Sequence, residues 1–365
     1  MAIAGTQLPI NDTDGIDKIT QVDKVTSPYF SDGSTTLAAA NIISSSLSDT
    51  NEVYFFGISH TDTPSTVEFN VAFGSTNGYG ANVESNTKSE TNAIYKQYSS
   101  LLLASNEVTG GFFISSPGSD SAVTSGKDEE IFVLSSTRTN MKDRLNKGTW
   151  TIALSGSNTA DSAGAILELT DDSTNETPTS TPVGDRYNIV SGAAGTVAKE
   201  STVKTYGHFY PDMGILVFSG AELSASIPGK GADINDVVIF DDSTHRGFGT
   251  GTGVDANKKF ALRFVNCLSH NTGPKLTFRD EEDQVSAQYF CRVHSKDCNF
   301  SNNPTFVSGS LNELRIKKMK GNPTTFITSV QMYNDAGAMV AVGNLSTPLK
   351  KSFSSEATIK VKLTY

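Results

Sequence analysis

A mainly β protein, with antiparallel sheets in sandwich-like units and two or three short helices, is predicted by three observations. Thr, Val, Phe and Tyr recur in short runs, with 20 Phe and 11 Tyr in all, and such side chains suit a pleated, half-buried surface. The runs are separated by Gly, Asn, Asp, Ser and Pro, the residues that turns require. Several runs alternate apolar and polar, the period of a strand with one wet face. Charged residues make up only 19% of the chain, whereas disorder comes with high charge and few aromatics.

The elements follow in order. Residues 1–50 are weakly apolar and form an N-terminal segment, a candidate interface arm, with one candidate helix around TTLAAANIISSSL. NEVYFFGIS and VEFNVAF, separated by HTDTPS, read as a hairpin or meander. In SETNAIYKQYSSLLLAS, Ile94, Tyr98, Leu101 and Leu102 recur at helical spacing, behind Ser and Thr suited to capping. A helix near 90–104 is therefore expected. GGFFISS and EEIFVLSS are further strands, and RTNMKDRLNKG reads as a brief helix ending at Gly148. TWTIALSG carries the single tryptophan, Trp150, and AGAILELT follows. The stretch DDSTNETPTSTPVGD, 171–185, has no apolar periodicity and reads as an exposed loop or boundary.

Four segments result: 1–50, a β-rich domain over 51–170 containing the helix, a linker over 171–205, and a C-terminal antiparallel β domain over 206–365. In the last, TYGHFYPDMGILVFSG, NDVVIFDD, KKFALRFVNCLSH, GPKLTFRDEED, SAQYFCRVHS, TTFITSVQMY, AMVAVGNL and ATIKVKLTY read as successive strands. RDEED, 279–283, reads as a charged, solvated hairpin turn. In TIKVKLTY, Ile359, Val361 and Leu363 face one way and Lys360 and Lys362 the other. Asn334 to Gly337 reads as a tight turn between two strands.

The formal charge of −10 argues against nucleic acid as the main partner, since phosphate binding draws on clustered Lys and Arg. RIKKMK, 315–320, is the one notable basic run and reads as a solvated face. MAIAGTQLPI shows no basic segment followed by an apolar one, so no secretory signal is expected. No apolar run is long enough for a bilayer, and no membrane partner is expected.

CRVHSKDC is the strongest metal candidate. Cys291, His294 and Cys298 would supply three ligands, but close cysteine pairing is absent, and an odd offset on a strand sends Cys291 and His294 to opposite faces. No metal and no cofactor are expected; the cysteines read as small apolar fillers. GFGTGTG lacks the spacing and the following helix of a phosphate loop, so Gly249 and Gly251 read as parts of a hairpin tip or interface loop. His208, Tyr210 and Asp212 alternate, yet Pro211 marks an edge or turn. An enzyme would have to use pairs such as Asp212 with Glu222 or Asp280 with Asp283, which nothing in the sequence singles out. No catalysis is expected.

A resemblance adds to this reading. QYFCRVHSKDCNFSNNPTF and GNPTTFITSVQMYNDAGAMVAVGNLSTPLKKSFSSEATIKVKLTY resemble the C-terminal segment of virion structural proteins from contractile-tailed marine cyanophages. The blocks IYKQYSSLLL, DEEIFVLSSTRTNMKDRLNKGTWTIAL and GHFYPDMGILVFSG resemble the same group, so the similarity covers about residues 50–365. It implies a virion protein assembled in the host cytoplasm, in a neck, tail or baseplate position, whose partners are copies of itself and other virion structural proteins. A strand at a sheet edge suits pairing between subunits, and Ile359, Val361, Leu363 and Tyr365, with Gly249 and Gly251, are the assembly candidates. The alternative is a receptor-binding or fibre-associated adhesion protein recognising a host-surface glycan. The absence of heptad or G-x-Y repeats disfavours a fibre shaft.

Overall fold

The computed structural model describes residues 9–10, 17–38, 43–45, 55–60, 66–78, 90–105, 111–114, 127–155, 166–198, 204–223, 261, 264–265, 267–268, 274–308 and 313–365. The chain is mainly β and antiparallel, as the alternation and turn chemistry predict. It divides into two compact units, one of Val25–Glu282 and one of Met1–Lys24 with Asp283–Tyr365.

The strands are, in chain order, β1 (Lys18–Pro28), β2 (Thr36–Ala38), β3 (Ile43–Ser45), β4 (Phe55–Ser59) and β5 (Val67–Ser75), before the helix α1 (Glu90–Leu102). Then come β6 (Glu130–Ser136), β7 (Arg144–Leu145), β8 (Thr151–Ser155), β9 (Ile166–Asp171), β10 (Thr179–Thr181) and β11 (Gly184–Ala193). They are followed by β12 (Thr196–Val197), β13 (Thr205–Tyr210), β14 (Ile215–Ser219), β15 (Pro274–Thr277) and β16 (Arg279–Val293). The last are β17 (Val307–Ser308), β18 (Glu313–Leu314), β19 (Thr325–Tyr333), β20 (Met339–Lys351) and β21 (Ala357–Thr364).

In the larger unit one sheet runs β2-β15-β8-β9-β11-β13-β14-β6-β5-β4-β3. Every neighbouring pair along that path is antiparallel. Its central strands are buried on both faces, which is why FVL and ILVFS read as unbroken apolar runs. On β6, Phe132 and Leu134 join one core cluster while Ile131 and Val133 join the other. On β14, Leu216 and Phe218 go to the first, Ile215 and Val217 to the second. The first core is aromatic: Trp150 lies parallel to Phe278 at 5.6 Å and edge-on to Phe209 at 5.3 Å.

The second core lies under α1. Helix and sheet approach so closely that a Cβ on Gly74 of β5 would lie 3.0 Å from the Tyr95 backbone nitrogen. The helix presents a different stripe from the expected one. Thr91, Asn92, Tyr95, Ser99 and Leu102 are buried, whereas Leu101 is 40% exposed. Polar contacts set that rotation. Tyr95 Oη donates to the Asp128 carbonyl at 2.7 Å and accepts from Phe112 N at 3.0 Å, and Asn92 donates to the Thr76 carbonyl.

Other expectations change. TTLAAANIISSSL is not described as a helix; its described residues form the short strands β2 and β3, captured by β15 and β4. Met141 and Leu145 are buried, but through a turn and β7 rather than a helix, because β7 pairs with Asp280 and Glu281. Residues 111–114, within GGFFISS, join no ladder. The division at 171–205 does not appear. Residues 175–180 are exposed, yet β11 pairs with β9 and β13 inside the larger unit. The boundary falls instead near residues 24 and 282. RDEED is no turn: it opens the 15-residue strand β16, with Asp280 and Glu281 buried. Pro211 opens the Pro211–Gly214 turn, so His208 and Tyr210 are buried in an internal strand while Asp212 stands outside it. Among the described residues no helix is long and apolar enough to cross a membrane.

Candidate assembly surface

The smaller unit contains Ile359, Val361, Leu363 and Tyr365, expected to act in assembly, and the metal candidates Cys291, His294 and Cys298. Here β16 carries β21 in antiparallel register from Ser286↔Thr364 to Val293↔Ala357. Backbone bonds between Val285 and Tyr365 prolong the ladder, at 3.1 and 2.9 Å. Ile359, Val361 and Leu363 are half-buried on one face, and Thr358, Lys360, Lys362 and Thr364 are exposed on the other, as alternation dictates. Among the described residues β21 pairs on one side only. Exposed lysines on an edge strand oppose indiscriminate pairing. Tyr365 is 74% exposed. Gly249 and Gly251 lie outside the described residues.

Cys291 faces Ile359 across the ladder, half-buried, and burial, aided by the Asp17 charge, pushes its thiol up. His294 is exposed one residue past the end of β16. Cys298 sits in the following turn with φ +57°, and its carbonyl accepts from Thr325 Oγ1. Cys291 and Cys298 form no disulfide. Among the described residues no three His, Cys, Asp or Glu side chains gather as a metal group. Two of the carboxylates weighed as catalytic pairs have basic partners. Glu222 lies 2.6 Å from Lys204 Nζ, and Asp212 lies 3.7 Å from Arg144. Asp280 is buried and Asp283 exposed.

Two features were not read from the sequence. The first is Lys351, fully buried, whose ammonium donates to the Ser295 carbonyl at 3.0 Å, to Asn299 Oδ1 at 3.0 Å and to the Ser352 carbonyl at 2.9 Å. Three donors meet three acceptors, so the charge is buried with its hydrogen bonds made. Asn299 holds the other side by donating to the Ser295 carbonyl at 2.6 Å. A Lys-Lys pair ordinarily reads as solvated, and nothing local distinguishes Lys351 from Lys350.

The second feature is what this clamp anchors. β19 and β20 form a two-stranded ribbon that joins no larger sheet among the described residues. Asn334 accepts from Gly337 N and Ala338 N at its tip, the turn expected there. Between Ile327↔Leu349 and Ser329↔Asn344 the longer strand bulges, and Pro348, which has no N–H to donate, lies in that bulge. Apolar side chains stand on both faces, among the exposed Thr328, Ser329, Gln331 and Asn344. Phe326, Met339, Val340 and Val342 are 56–61% exposed, while Ile327, Val330, Met332 and Ala341 on the other positions are only half-buried. An isolated two-stranded hairpin is marginally stable in water, and contiguous exposed apolar groups mark an interaction surface.

Replacing Lys351 with Met is expected to remove the donor to Asn299 Oδ1 and leave the Ser295 carbonyl with Asn299 Nδ2 alone, a loss of about 1–3 kcal/mol. Amide exchange in residues 325–351 should accelerate by about tenfold or more, with β13 and β14 unchanged. Hydrogen-exchange mass spectrometry reads both; equal protection of the ribbon in the variant would show that the clamp does not hold it.

No family model, no curated protein and no solved structure matches this chain.

Proposed function

We propose that this chain is a non-enzymatic structural component of a tailed-phage virion, making subunit contacts in the tail, neck or baseplate. The observation that carries the reading is the β19–β20 ribbon, anchored at its base by Lys351, with Phe326, Met339, Val340 and Val342 exposed along it. A surface of that kind suits docking between proteins rather than chemistry on a small substrate. The resemblance of residues 50–365 to cyanophage virion structural proteins supports the same reading, and the match extends through the ribbon and β21.

Quantitative mass spectrometry of purified particles tests it. The chain should be present in a fixed multiple relative to the other structural proteins, and should remain with the tail fraction when heads and tails are separated. Its presence in infected cells but never in purified particles would remove the proposal.

A further inference from the structure

We propose that the β19–β20 ribbon docks head to tail on the larger, acidic unit of a second copy of this chain. The inference rests on the structural-subunit reading above and deepens it by naming the contact.

Charge selects the occupant. Residues 283–365 hold ten Lys and Arg against five Asp and Glu; with residues 1–24 the smaller unit has 12 basic and 9 acidic residues, a net of +3, leaving 17 basic and 30 acidic, a net of −13, for the larger unit. The ribbon belongs to the basic unit. Arg315, Lys317, Lys318 and Lys320, around the 3-10 turn Lys317–Met319 that precedes β19, are all exposed, and Lys350 is exposed at the ribbon base. The larger unit displays Glu129, Glu168, Glu176 and Asp185 on its exterior, with Ile166 exposed two residues before Glu168 on β9.

The ribbon's exposed apolar side chains supply contact area, and the opposed charges supply orientation. Apposing two basic units is repulsive, whereas a basic unit on an acidic one is attractive. The contact therefore uses different surfaces on the two copies, and contacts of that type build rings or open filaments. The exposed lysines of β21 favour the ribbon over that edge strand as the docking element.

Sedimentation of the purified full chain at on the order of 50 µM tests this. Self-association is expected at about 50 mM NaCl, weakening by about 500 mM as screening shortens the reach of charge. Val340→Asp with Val342→Asp, both at exposed positions, should weaken association at least tenfold with unchanged circular dichroism. Lys317→Glu, Lys318→Glu and Lys320→Glu together should do the same through charge. A tagged ribbon variant mixed with wild-type chain should still capture it, because its acidic unit remains free to receive a ribbon. A symmetric ribbon-to-ribbon contact predicts no capture, and that result would overturn the proposal. So would a wild-type chain that stays monomeric, a ribbon variant that associates normally, or DNA binding at the basic unit without self-association. A monomer that is nonetheless found in purified particles defeats this contact and leaves the subunit reading standing.

Discussion

Replacing Trp150 with alanine is expected to remove about 3–5 kcal/mol of stability, the range for truncating a fully buried aromatic. Trp150 immediately precedes β8 and is wholly buried. Its ring lies within 9° of parallel to Phe278 and meets Phe209 edge-on, so alanine would open a void bounded by those two rings. Rings so placed cannot close the gap without moving strands whose registers are already set by their neighbours. Trp150→Phe provides the control. It keeps an aromatic ring in the stack and deletes an indole N–H that has no hydrogen-bond acceptor among the described residues. The phenylalanine variant should therefore lose less than half as much. Denaturant unfolding followed by near-ultraviolet circular dichroism reads both values; an alanine variant within about 1 kcal/mol of the wild type would contradict this account of the core.

Asp280→Asn should act in the opposite direction, stabilising the chain above neutral pH. Asp280 faces Leu145 of β7 and is 2% exposed, and burial pushes its carboxyl up to about 7 against the pull of Lys142. The folded chain then retains a proton that the unfolded chain releases above pH 3.8. Stability from this site consequently falls as pH rises from about 4 to about 7 and is level above that, with a full effect of roughly 4 kcal/mol. Asparagine keeps the shape and has no charge to form. The variant should match the wild type near pH 4 and unfold at a higher temperature at pH 8. His208 titrates in the reverse sense: burial lowers its pKa from 6.5 to about 3, so its contribution is lost on acidification below 6.5. Comparing variant and wild type at each pH cancels that term. A difference that does not change from pH 4 to pH 8 would show that Asp280 is not a protonated buried acid at neutral pH.

The strand runs were legible because their information is local. NVAF, IFVL and ILVFS contain β-branched and aromatic residues between turn residues, and they became β5, β6 and β14. The alternation in TIKVKLTY directly yields the half-buried and exposed faces of β21. The turn at Asn334–Gly337 is equally local, since side-chain capture of its backbone involves neighbours only.

Misreadings arose where a distant partner outweighed the local signal. RDEED looked solvated, but Arg144 and Asn146 engage Glu281, at 3.1 and 2.6 Å, and β7 pairs alongside. The α1 stripe was displaced because Tyr95 and Asn92 bury polar groups against acceptors from other segments, which an apolarity count overlooks. Lys351 is the plainest case. Its three acceptors come from two turns, one of them more than 50 residues earlier, so a lysine that looks ready for water becomes the pin of the ribbon.

Composition and periodicity were therefore enough for the class of fold and for most strands, because pleat, turn and burial preference are properties of neighbouring residues. Which strands became neighbours, which acids and which lysine went inside, and which hairpin stood alone were settled by pairing across the chain. Backbone and charged groups removed from water must find partners, and those partners lay far away in sequence.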